Sequence, residues 1–136
     1  MKVKAIGTSG KDLSRQSLDS FHNVEEQFGL EVGGIYTVYG INIWRGIVHY
    51  LTCDELGYAY WSPAELFEIV DNRIPPDWYF KFYGYEDNDM DQVNAVWGYK
   101  ELALDPKHYF ELILKEGDFI NIFNKKRKRE IDEFHE

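Results

Sequence analysis

The run Gly33-Gly34-Ile35-Tyr36-Thr37-Val38-Tyr39-Gly40-Ile41-Asn42-Ile43-Trp44, then Arg45-Gly46, then Ile47-Val48-His49-Tyr50-Leu51-Thr52-Cys53, decides the fold class. Both apolar stretches are rich in β-branched and aromatic residues, which fit a pleated surface and lose rotamer freedom in a helix. Arg45-Gly46 parts them by two residues, the spacing of a tight hairpin. Asp54-Glu55-Leu56-Gly57 makes a second turn and Tyr58-Ala59-Tyr60-Trp61 a third strand. Three short strands joined by tight polar turns predict an antiparallel meander.

Working outward, Val3 to Ile6 is a short strand candidate. Residues 7–31 are polar and punctuated by glycine, which predicts a long loop with one helical turn around Asn23–Phe28. Downstream, Ser62-Pro63-Ala64-Glu65-Leu66 reads as a helical turn, with Ser62 as cap and Pro63 at its first position. Phe67-Glu68-Ile69-Val70 returns as a strand, and strand, tight helical turn, strand is a barrel-closing pattern. Asp77 to Tyr83 predicts a further strand or extended arm, and Glu86–Asp91 an acidic loop. From Asn94 the period reads as helical. Asp105-Pro106 starts a helix whose apolar face is Tyr109, Phe110, Ile113 and Leu114, and Gly117 stops it. Asp118 opens a last helix carrying Phe119, Ile120, Phe123, Ile131 and Phe134.

Met1-Lys2-Val3-Lys4-Ala5-Ile6, Gly29-Leu30-Glu31-Val32-Gly33-Gly34-Ile35-Tyr36-Thr37-Val38 and Tyr60-Trp61-Ser62-Pro63-Ala64-Glu65-Leu66-Phe67-Glu68-Ile69-Val70 together resemble a group of small bacterial and phage proteins of unassigned activity. That group is built on an SH3-like barrel, and the resemblance covers about half the chain. It implies an SH3-like antiparallel β-barrel over residues 1–72; with the extended link and acidic loop over 73–93 and the C-terminal helical segment over 94–136 read from the residues above, the expected fold is α+β. The three segments form a single domain, 1–136.

The 136 residues fit one domain, and 44% hydrophobic content supplies a core. A net charge of -9 opposes binding driven by phosphate neutralisation, so no nucleic-acid partner is expected. Residues 54–91 hold ten acids against two bases, Arg73 and Lys81, whereas Lys125–Arg129 is a basic run that reads as part of a solvated helix. A single cysteine, Cys53, excludes an internal disulfide and a cysteine-based zinc site. A reducing, cytoplasmic setting is expected, with no membrane contact. The sequence carries no signal for an oligomeric state.

Cys53 and His49 lie four apart on a predicted strand and so share a face, but Asp54 and Glu55 oppose a thiolate, and a strand cysteine and histidine are the plainer reading. Asp87, Asp89 and Asp91 alternate like the start of a calcium loop, yet its sixth and twelfth positions are Gln92 and Gly98, so no metal is expected. Gly7-Thr8-Ser9-Gly10-Lys11 lacks the spacing of a phosphate loop. No carboxylate pair is set across a cleft, and no cofactor or catalytic residue is assigned. Partner-binding candidates are the rings of Tyr39, Trp44, Tyr58, Tyr60, Trp61 and Trp78, with the acids Asp54, Glu55, Asp87, Asp89 and Asp91.

The expected function is therefore a non-catalytic, protein-binding module. By analogy with small acidic immunity and antitoxin-like proteins, its acidic stretch covers a basic partner. Two alternatives stay open: a regulatory or phage-accessory protein that binds a peptide in an aromatic groove, and an enzyme with an unrecognised site.

Overall fold

A computed structural model describes residues 1–20, 22–86 and 88–128. Asp87 of the candidate acids, Arg129 of the basic run, and Ile131 and Phe134 of the last helix lie outside the described residues.

In chain order the strands are β1 (Lys2–Ala5), β2 (Ile35–Thr37), β3 (Gly40–Trp44), β4 (Ile47–Cys53), β5 (Ala59–Pro63), β6 (Phe67–Asp71), β7 (Tyr79–Phe82) and β8 (Val93–Gly98). The helices are α1 (Arg15–Ser20), α2 (Lys100–Leu104), α3 (Pro106–Leu114) and α4 (Phe119–Lys126). The strands form two antiparallel sheets: a small one ordered β2-β1-β6 and a large one ordered β5-β4-β3-β8-β7.

The meander of β3, β4 and β5 stands as expected. Arg45 and Gly46 both take positive φ, 52° and 80°, the backbone hand that matches strand twist in a two-residue hairpin. The closed SH3-like barrel does not form. The run 35–44 is not one strand but changes partner midway: Val38 N–H donates to Met1 C=O in the small sheet, and Tyr39 N–H donates to Leu51 C=O in the large one. The β5–β6 connection, a 3-10 turn at Ala64–Leu66, likewise passes from the large sheet to the small one. Meanwhile β8 occupies the free side of β3 and extends the large sheet instead of letting it close.

β8 is the second correction, because helical character was expected from Asn94. All but one of its residues are buried. A central strand covered on both faces loses the alternation that marks a strand and reads as a continuous apolar run. A third concerns the first loop, where the helix is Arg15–Ser20, while Asn23–Glu26 makes a single turn in which Glu26 N–H donates to Asn23 C=O (3.2 Å). Ser14 Oγ accepts from Ser17 N–H there (3.3 Å). On α3 the buried residues are His108, Tyr109 and Leu112, while Ile113 and Leu114 are exposed. The expected start at Asp105-Pro106 holds, with Asp105 accepting from Lys107 N–H.

The large sheet is the middle of three layers. Its outer face carries Ile41 and Tyr50 against the small sheet's core of Val3, Ala5, Val38, Leu66 and Phe67. Its other face carries Leu51, Val93 and Val96 against Leu102, Tyr109, Leu112, Phe119 and Phe123 of the helices. Gly40 and Gly98 pair directly across β3 and β8. An added Cβ on either would lie 2.3 or 2.7 Å from Leu102 Cδ2, so the glycine pair is the seat on which α2 rests. Among the described residues no helix is long and apolar enough to cross a membrane.

Candidate functional site

Between α3 and the helix side of the large sheet lies a pocket of ≈ 370 Å³, within the usual range of ligand sites, about 300–1,000 Å³. Asn42 and Trp44 reach it from β3, His49 from β4, and Tyr60 and Trp61 from β5. Tyr109, Phe110 and Lys115 come from α3 and its end, and His22 from the loop after α1. Asn42, Trp44 and His49 share it because residues two apart on β3 face one side and His49 pairs with Asn42 across the ladder. A register slip between Ile43 and Trp44 turns Val93 and Val96 of β8 to the same side.

The pocket's polar groups form two sets. Glu26 Oε1 lies 2.8 Å from His22 Nδ1, His22 Nε2 lies 3.0 Å from His49 Nε2, and His49 Nδ1 lies 3.0 Å from Ile47 C=O. A carbonyl only accepts, so His49 carries its proton on Nδ1 and accepts through Nε2. His22 then donates from Nε2 and meets the Glu26 carboxylate with Nδ1. The Glu26–His22 contact is an ion pair only when the His22 ring is protonated. Burial first, and the neighbouring His22 second, lower the His49 pKa to about 4, with the Ile47 carbonyl and Glu65 opposing. Trp44 packs its ring against both histidines, with centroids 6.1 and 5.9 Å away, and its Nε1–H donates to Asp91 C=O at 2.9 Å.

The second set is unsatisfied. Asn42 Nδ2 donates to Tyr109 OH (3.0 Å), but its Oδ1 is buried with no partner, and so is Trp61 Nε1–H. If the amide is turned round, one end of it is still unpartnered. Burial pushes the Tyr109 hydroxyl well above its usual pKa, so it stays protonated. The Trp61 and Tyr109 rings lie 5.8 Å apart, and Lys115 Nζ sits 4.5 Å from the Tyr60 ring centre.

Of the sequence candidates, Trp44, Tyr60, Trp61 and Asp91 line this pocket. Tyr39 is buried against Phe123, ring centroids 5.4 Å apart, and Tyr58 packs beside Phe119. Trp78 packs on the small-sheet core. Asp54 is a turn-former: its Oδ1 accepts from Leu56 N–H and Tyr58 N–H, both at 2.9 Å. Glu55 and Asp89 are exposed. Asp54 and Glu55 follow the far end of β4, while Asp89 and Asp91 precede β8 beside the hairpin, about 20 Å along the strands. His49 and Cys53 do not partner each other: Cys53 Sγ accepts from Arg127 Nη1 (3.3 Å) and donates to Asp54 C=O.

Sequence reasoning missed His22, Asn42, Tyr109 and Lys115 as pocket residues. His22 lies 27 positions from His49, a separation with no motif. Asn42, the one polar side chain in an apolar strand run, was the available signal. Among the described residues no group of three or more His, Cys, Asp or Glu side chains is placed to hold a metal. No protein-family model, curated protein or solved structure matches the chain.

Proposed function

We propose that the chain is a non-catalytic binding module that takes an aromatic or aliphatic side chain of a protein partner into the pocket under α3. The observation that carries this reading is the contrast between the two polar sets. Every ring nitrogen of His22 and His49 is engaged inside the protein, so neither offers a free lone pair to a substrate. Asn42 and Trp61 instead hold an acceptor and a donor in reserve, beside the rings of Trp44, Tyr60, Tyr109 and Phe110. A peptide group entering with an apolar side chain supplies both complements once the lining side chains shift to uncover the two buried atoms.

The charge-driven form of the reading asks for one acidic face over a basic partner. Asp54 and Glu55 stand at the opposite end of the large sheet from Asp89 and Asp91, so the pocket is the better-supported contact. The single free Cys53 suits a cytoplasmic setting for this binding.

The test is a titration of the 15N-labelled chain with N-acetyl amides of tryptophan, phenylalanine and leucine. The Trp61 indole N–H resonance should move downfield as it gains an acceptor, and Trp61→Phe should weaken binding by about tenfold, or 1.4 kcal/mol. If no pocket indole resonance moves with any of the three probes at millimolar concentration, the proposal fails.

A further inference from the structure

Among the described residues, the strand at the rim of the large sheet has no strand paired on its outer side. β7 pairs with β8 alone, and Tyr79, Phe80 and Phe82 are 44%, 52% and 49% exposed, with Tyr85 beyond them at 83%. The other sheet edges are blunted. β5 ends in Pro63 and lies along α3, β6 carries Glu68 and Asp71, and β2 is three residues long. β7 has neither proline nor acid. In a chain of net charge -9, residues 78–85 carry one cation, Lys81, and no anion.

The ladder fixes which backbone groups are open. Tyr83 N–H donates to Asn94 C=O (2.7 Å), and Lys81 pairs with Val96. Residues 79, 81 and 83 therefore turn their amides to β8, and Phe80 and Phe82 turn theirs outward. The rings on the outer row are already braced, Phe80 on Trp97 (4.5 Å) and Phe82 on Tyr85 (4.9 Å). Ordering them on contact therefore loses little further side-chain entropy.

We propose that β7 pairs antiparallel with β7 of a second copy of this chain about a two-fold axis through Phe80, joining the two large sheets into one of ten strands. In that register the two Phe80 residues exchange N–H and C=O bonds, and each Lys81 faces Tyr79 of the second copy. Lys81 already lies over an aromatic face, 5.7 Å from the centre of its own Tyr83 ring, so the cross-pair repeats a contact it makes now. The register centred one residue later sets the two Lys81 ammonium groups opposite each other and is disfavoured. Because each copy carries -9 overall, the pair tightens with added salt, which screens the repulsion between the bodies.

Sedimentation equilibrium of the full chain, at about 0.05 M and about 0.5 M salt, measures the dimer. The wild type should dimerise, more tightly at high salt. Phe80→Pro removes an outward amide and no β7–β8 bond, so it should keep the fold and weaken dimerisation by tenfold or more. Lys81→Glu should weaken it too and guards against misfolding of the proline variant. Register is read by oxidation in a Cys53→Ser background. Phe80→Cys should cross-link, since paired Cα atoms about 5.5 Å apart lie inside disulfide range. Tyr79→Cys should not, since its copies are diagonal neighbours roughly 7–8 Å apart. A monomer up to millimolar concentration overturns the proposal. So does a dimer unaffected by both substitutions, or one cross-linked through Tyr79→Cys and not Phe80→Cys.

Discussion

Lowering the pH tests the histidine chain directly. His49 is 2% exposed, and its folded pKa of about 4 stands against an ordinary value of 6.5. The unfolded chain takes up the His49 proton as pH falls through 6.5, and the folded chain does not until about 4. Burying the neutral ring therefore weighs nothing against the fold above 6.5, and stability is lost progressively as pH falls from 6.5 to about 4. At about 1.4 kcal/mol per pH unit the full loss is about 3 kcal/mol, and roughly 2 kcal/mol is gone by about pH 5. The sign follows from the contacts, because protonation would remove the acceptor that His22 uses, 3.0 Å away, and charge a ring held out of water. Urea unfolding of wild type and His49→Gln at about pH 7.5 and about pH 5 isolates the effect from other titrating groups. The variant should lose about 2 kcal/mol less than wild type between the two. Equal losses in both proteins would refute the assignment of His49 as a buried neutral acceptor.

Phe123 is fully buried against Tyr39 and Tyr99, so Phe123→Ala should destabilise the whole protein by about 3–5 kcal/mol in chemical unfolding. An unchanged midpoint would mean that α4 is an appendage. Gly40→Ala drives a methyl into Leu102, itself fully buried, and should cost about 1–3 kcal/mol. In a double-mutant cycle that penalty should largely vanish beside Leu102→Ala, and strict additivity would contradict the glycine seat. Trp61→Phe removes an N–H that has no partner, so thermal unfolding should show stability unchanged or slightly raised even as ligand binding weakens.

The meander was legible because β3, β4 and β5 announce themselves locally, through β-branched runs and turn residues at fixed spacing. The layers were not. Whether Ile35–Trp44 is one strand or two depends on which backbone lies opposite, and no local pattern at Val38-Tyr39 records the exchange from Met1 to Leu51. β8 was misread for a related reason: both its faces are covered, and periodicity reports only the difference between faces. Of the site, Trp44, Tyr60, Trp61 and Asp91 could be named because aromatic and acidic residues attract attention anywhere. Which rings line a cavity and which fill a core was fixed by α3 and the loop at His22, elements far away in sequence.

The exchange of partners between Val38 and Tyr39 also sets how the molecule comes apart. With no loop between β2 and β3, the main chain itself fastens the two sheets at adjacent residues, and the short turn at Ala64–Leu66 is a second tie. Neither sheet can open as a separate foldon without pulling residues out of the other. The amides of Val3 and Val38 in one layer and of Leu51 and Val96 in the next should therefore exchange with deuterium at one common rate, that of global unfolding.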